Sequence, residues 1–481
     1  MGGDGRLKKQ ATMMSLTDIQ GSVKELKAAA YEEKEKVVHL MDVVAHHQSQ
    51  NPAALVSGGA IKPLIDLIDS GNDGSQIHAA SCLAIIATTK MEYQDKIVAA
   101  GAIPPLVKLL KMGSNKAMTY AAEAIAAISE QRKYQEPILK AGAILPLCRL
   151  VRGDVTVDTQ VHASDAVANL AAQNPEAQHT FFSQGIVPLL LELLQNGKAQ
   201  KSAADALAQL LSPQAVDNAP ANTEIQEEIA KDGGIPPLLA LLSGMNVDAQ
   251  VHAAEALSNL ARGNGNTQTI IAKAGGIGPL LAMLSIKSSA AQAQAASALA
   301  QLTRQNVDNQ SSISRQGGIP SLSLLLQNNE ASVQAMAALA LTEVCRENMS
   351  NQTEAAEGGC IISLVEQLKS TTSSAAVDAV KAEAVGALWV LSQNHGDNKV
   401  TVSGTPLHRP AHVLLATAVP PTVSARRPAH LARLPPPAPA HAPRPATTLH
   451  LFPRVPSMLP TRGFADLPTR GAARLLPTTD Q

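Results

Sequence analysis

The chain has 481 residues, 39 Lys+Arg against 40 Asp+Glu for a net charge of −1, and 45% hydrophobic residues. Only 2% are aromatic, which excludes a single-stranded nucleic-acid platform built on stacked rings, and the balanced charge excludes a phosphate-tracking surface. Four Cys without a CxxC pair exclude a disulfide scaffold and a zinc module.

In chain order, residues 1–14 read as disordered. Gly2 invites myristoylation, but Arg6 stands where Ser or Thr is expected, so lipid anchoring is disfavoured. There is no apolar signal stretch at the N-terminus. No run of about twenty apolar residues occurs either. The expectation is a soluble intracellular protein, cytoplasmic in the first place and nuclear in the second. Residues 15–50 read as N-terminal capping helices, with Glu33 to Ala45 shaped like the last helix of a partial unit.

From residue 51 to 403 a repeat governs the sequence. The phrase Gly-x-Ile-x-Pro-Leu, sometimes degraded, is anchored at Ile61, Ile103, Ile144, Ile186, Ile235, Ile277, Ile319 and Ile361. The steps are 42 residues, apart from one of 41 and one of 49. The long step carries a seven-residue insertion, read as a loop around Pro213 to Asn222. Each unit predicts the same three elements. A short helix is stopped by Gly. A second, apolar helix has Pro near its start, as in Pro236-Pro237-Leu238-Leu239. After a polar turn a longer helix follows, such as Gln250 to Leu260, with apolar residues at helical spacing. Aligned, these third helices give a column from Leu83, Ile125 and Val167 to Leu388, with Ala pairs such as Ala121-Ala122 between columns. One unit cannot bury its apolar face alone, so the units must stack. A ninth unit starts near Asp397 and fails. Trp389 stands in an otherwise small column and reads as end-cap packing rather than a binding hot spot.

From residue 404 to 481 there are 16 Pro, nine Arg, two Asp and no Lys or Glu, a net charge of +7 that leaves −8 on the preceding residues. Runs such as Leu434-Pro435-Pro436-Pro437 cannot be helical, so this tail reads as disordered. It is a solvated extension, a basic arm or ligand for Pro-binding modules, or sequence from a misplaced gene end.

The spacing, the Gly-Ile-Pro-Leu anchors and the Ala-Leu-x-Asn-Leu ending together resemble the armadillo repeat, over about Asn51 to Ser403. The pattern is nearest to vacuolar and plant-type armadillo scaffold proteins. The resemblance implies an all-α solenoid, a right-handed superhelix of three-helix repeats. It also implies that the third helices line a concave groove for extended peptides, with the Asn of the ending clamping the ligand backbone. Here that column holds Asn169, Gln209, Asn259, Gln301 and Glu343. An amide donates and accepts at once, which suits an extended backbone. Four residues earlier, on the same helix face, stand Glu123, Asp165, Asp205 and Glu255. Two readings of this acidic stripe stand side by side. It binds a basic or mixed-polarity extended segment, or it is an ordinary solvated face.

Other features fall into structural columns. Cys82, Cys148, Cys345 and Cys360 sit where other units carry small or aliphatic residues, so they read as buried hydrophobes. His78, His162 and His252 share a column two repeats apart, too far apart for one zinc ion. There is no HExxH, no GxSxG and no nucleophile–base set at diagnostic spacing. The function expected is therefore a non-enzymatic interaction scaffold for other proteins, without cofactor, metal or nucleic acid. An importin-α-like adaptor for basic cargo is the alternative, although importin-α carries Trp in the groove where this chain has none. The first 50 residues are too short and too helical for the U-box of plant ubiquitin ligases, and a β-catenin-like role expects a basic groove.

Overall fold

The computed structural model describes residues 15–29, 31–48, 51–213, 222–369 and 374–404. The N-terminal fourteen residues, nearly all of the insertion expected around Pro213 to Asn222, and the Pro/Arg-rich tail after Gly404 lie outside them. Among the described residues there are 27 helices and no strand. They form an all-α solenoid of stacked helical repeats.

The unit's punctuation is glycine. Gly101 ends the helix Met91–Ala99 at φ +85°. Its N–H donates to the Val98 carbonyl at 2.9 Å, and that of Ala102 reaches back to Ile97 at 3.3 Å. This double bond pattern is a left-handed helix stop, which only glycine adopts without steric cost. The same positive φ recurs once per unit, from Gly59 to Gly359. The chain then turns into the second helix, Ile103–Met112, which buries Ile103, Leu106, Val107, Leu109 and Leu110. The third helix of unit two is Asn115–Ser129. In other units its start is capped by a side chain, as at Asn72, Thr156, Asn246, Ser288 and Ser374. Each such cap contributes about 1 kcal/mol.

Third helices pack on third helices along the whole array. The column from Leu83 to Leu388 has no exposed surface, and neither have the Ala pairs 121–122, 203–204 and 295–296. Small residues bring neighbouring helices close, and each buried Leu or Ile stabilises the stack by about 1.5–3 kcal/mol. Trp389 is partly buried against this core.

A row of glutamines ties the units together. Gln268, on the first helix of unit six (Gly265–Lys273), is buried. Its Nε2 donates to the Ala261 carbonyl at 3.2 Å, which ends the third helix of unit five, and to those of Gln301 and Arg304 at 2.9 and 3.3 Å, which end that of unit six. Its Oε1 accepts from Asn306 Nδ2 at 3.3 Å, in the next unit. Gln178 and Gln310 repeat the clip. Helix C-termini leave carbonyls without intrahelical partners, and these amides satisfy them across the unit boundary. At the end of the array the helix Gly396–Gly404 docks like another first helix. Asn398 Nδ2 donates to Leu391 and Gln352 carbonyls at 2.8 and 3.3 Å. At the other end Tyr31–His47 packs on Asp73–Thr89 as a third helix would.

Candidate functional site

The stacked third helices present a continuous polar face. On the third helix of unit five, Val247–Ala261, Glu255 and Asn259 lie one turn apart, and Arg262 follows at the cap. Steps of four and three keep all three on one side of the helix. Neighbouring helices carry the same positions, so columns run across the units.

The centre of the face is a cluster shared by units four and five. Gln209 Nε2 donates to Asp205 Oδ1 at 3.2 Å and to Glu255 Oε1 at 3.3 Å. His252 Nδ1 makes ion pairs with Asp205 Oδ1 at 3.3 Å and Glu255 Oε2 at 3.9 Å. All four side chains are half-buried. Asp165 of unit three stands next in line, bonded by Ser202 and within electrostatic reach of Asp205. Glu123 of unit two is also half-buried.

Burial and charge divide the protons unequally. Burial pushes the Asp165 carboxyl up, Ser202 opposes this, and the charge of Asp205 adds to it. Burial and then the Asp205 charge raise Glu255. Burial acts on Asp205 in the same sense, but the hydrogen bond and charge of His252, with help from Gln209, outweigh it and hold Asp205 low. Burial would lower His252, yet Asp205 and Glu255 raise it. Asp205 and His252 thus each favour the charged form of the other, while burial disfavours ionisation of the flanking carboxyls. Lys201, on the exposed rim, adds a second positive charge near Asp165 and Asp205.

Cross-unit pairing recurs on the face. Three residues before Glu255 and Asp205 stand His252 and Ser202, which meet Asp205 and Asp165 of the preceding unit. His78 Nδ1 meets Asp42 Oδ2 at 2.8 Å, and His46 approaches the other oxygen of Asp42 at 3.2 Å. The rings of His39 and His78 stack at 4.0 Å. Helix Tyr31–His47 therefore extends the face by one further acid, Asp42, which the sequence reading did not include.

The amide column is built into the stack. Asn169 Nδ2 donates to the Ala126 carbonyl at 2.9 Å, and Asn259 Nδ2 to that of Ala208 at 3.0 Å. Both bonds cross to the preceding unit. Asn259 Oδ1 accepts from Arg262 at 3.3 Å. Asn259, Gln301 and Glu343 are buried, whereas Asn169 and Gln209 are half-buried. The sequence argument used amides able to donate and accept at once, but in Asn169 and Asn259 a donor is already engaged by the scaffold. Glu343 has its own cations. Arg346 grips it through Nε and Nη2 at 3.0 and 3.1 Å, and Arg304 Nε stands 3.9 Å away.

The face has little that could run covalent chemistry. All four Cys are buried. Burial pushes the Cys148 thiol up to about 12 and holds Cys82 and Cys345 well above the usual range, so none is an activated thiolate. The potential ligand atoms of Asp205, His252 and Glu255 lie within 4.8 Å of one another. They are near enough to approach one cation together, a grouping that the sequence argument about histidines in one column did not reveal. No helix among the described residues is long and apolar enough to cross a membrane.

A stacked array of helical repeats with a polar face along it offers an extended surface for binding. The family model for the Armadillo/beta-catenin-like repeat matches residues 222–262 and 263–304, which are units five and six. An engineered protein of known crystal structure superposes with a TM-score of 0.68 at 29% identity, covering 81% of this chain and 92% of its own. A designed armadillo repeat protein is 28% identical over 50% of this chain and 99% of its own, with a TM-score of 0.45. No curated protein matches the sequence. Units five and six are thus matched as armadillo repeats, and the chain is similar to proteins built from that repeat. Solenoids of this kind are typically non-enzymatic and typically bind other proteins.

Proposed function

We propose that this protein is a scaffold that captures an extended, basic segment of a partner along the groove lined by its third helices, centred on units two to five. The cluster of Asp205, Gln209, His252 and Glu255 carries this reading. An ordinary solvated stripe would hold its carboxylates apart in water. Here two carboxylates from adjacent units share one amide, half-buried, with Asp165 beside them. Desolvated like charges are costly to hold together, so a Lys or Arg from a ligand gains more here than at an exposed acid. The groove is set before binding, because its side chains are tied across units, and preorganisation lowers the ordering cost of capture.

The test is fluorescence anisotropy of a labelled extended peptide rich in Lys and Arg, titrated with the full chain at several salt concentrations. The affinity falls steeply with salt, and Asp205→Lys or Glu255→Lys lowers it by about tenfold, the equivalent of roughly 1.4 kcal/mol. Equal affinity for wild type and both variants, with circular dichroism unchanged, rejects the stripe as a binding surface.

A further inference from the structure

Two columns of the groove change charge at the same unit. The acidic position reads Glu123, Asp165, Asp205 and Glu255 in units two to five, then Ser297 and Leu339 in units six and seven. Seven residues later, two helical turns along the same face, the order is reversed. Units two to four carry Glu130, Ala172 and Ser212, and units five to seven carry Arg262, Arg304 and Arg346. The positive charges begin in the unit where the negative ones end.

These arginines belong to the groove. Arg262 Nη2 bonds Asn259 in the amide column, and Arg304 and Arg346 both converge on Glu343 in that column. At this end two guanidiniums face one carboxylate, while Arg262 lies within electrostatic reach of Glu255. The Glu343 side chain is only 5% exposed, while that of Arg304 remains 48% exposed. Arg304 is thus presented to a ligand, with Glu343 neutralised beneath it.

We propose that the groove is bipolar and fits a partner segment with basic residues against units two to five and acidic residues against units five to seven. The proposal rests on the peptide-binding reading above and adds the acidic half of the ligand. Guanidinium and carboxylate pair in a planar fork, so Asp or Glu side chains are the groups this end recognises. Neighbouring helices lie about 8–10 Å apart, so unit four to unit six spans about 20 Å. An extended chain covers that in roughly six residues at about 3.3 Å each.

The test uses the full chain and four labelled peptides: a Lys/Arg block, an Asp/Glu block, both blocks joined by a six-residue Gly/Ser spacer, and a scrambled version of the joined peptide. At low salt the joined peptide binds about five- to tenfold tighter than the basic block, the size expected of a few partly exposed ion pairs. Arg304→Glu removes that gain, read as the ratio of joined-peptide to basic-block affinity measured on the same variant. Arg304 is chosen because its side chain is half exposed; Arg346 grips a buried carboxylate, and its loss would disturb folding. A joined peptide no tighter than the basic block or its scrambled version overturns the bipolar groove, as does a gain that survives Arg304→Glu. Failure of the basic block itself to bind rejects the groove reading beneath it, which is a separate result.

Discussion

Replacing Gln268 by Leu should loosen one unit boundary and leave the others intact. The Gln268 amide nitrogen lies within bonding distance of three backbone carbonyls, those of Ala261, Gln301 and Arg304. It has two hydrogens, so two acceptors are served at any moment. Leu has neither hydrogen, and the site is 3% exposed, which leaves no easy access for water. A buried acceptor without a partner costs about 1–3 kcal/mol, and the added apolar surface of Leu returns part of that for two acceptors. The net loss is about 2–3 kcal/mol, or roughly a 30- to 150-fold rise in local opening. Hydrogen exchange read by mass spectrometry locates it: protection falls at the C-termini of the third helices of units five and six and is unchanged in units one to three. Gln316→Leu, at an exposed site, is the control and changes nothing. Unchanged protection around residues 259–262 and 301–304, or a loss spread evenly over the array, refutes the role given to the glutamine row.

Asp165→Asn should raise the melting temperature at pH 7 while weakening the basic peptide. The folded state raises this carboxyl, through burial and then Asp205, so ionised Asp165 lowers stability once the pH passes its unfolded value, near 3.9. The advantage of Asn therefore vanishes in melts below about pH 4, and an advantage that persists there contradicts the sign. Gly276→Ala should destabilise by about 1–3 kcal/mol through overpacking, because an added Cβ would meet Ile271 Cγ2 at 2.8 Å and Leu239 at 3.0 Å. Gly386→Ala, with open space around it in the helix Ala375–Ser392, should stabilise by about 0.5–1 kcal/mol; urea unfolding reads both. A thiol reagent should label none of the four buried Cys in the native protein and all four in denaturant, and rapid native labelling would mark a boundary that opens.

The helices were legible because the period repeats the same physics eight times. Gly at the stop, Pro after the turn and Leu at helical spacing each point to one local structure, and their agreement fixed the three-helix unit. The columns also placed Asp165, Asp205 and Glu255 on one face, which the structure brings into a line. The donors facing them escaped, because a pair such as His252–Asp205 joins positions 47 residues apart that only the stacking geometry relates. The glutamine row carried a signal in the same period, at Gln178, Gln226, Gln268, Gln310 and Gln352. It lay in the short first helices, where a polar residue looks solvated until the neighbouring helix ends are in place. Glu343 misled for a related reason. It occupies an amide position, and its cations, Arg304 and Arg346, come from two different units.

Photo-crosslinking mapped by mass spectrometry tests the central claim most directly, with a basic extended peptide carrying a crosslinker at successive positions and the full-length chain. The account predicts crosslinks in register along the third helices of units two to five, around Glu123, Asp165, Asp205 and Glu255. Crosslinks confined to the second helices, or scattered without register, would contradict it.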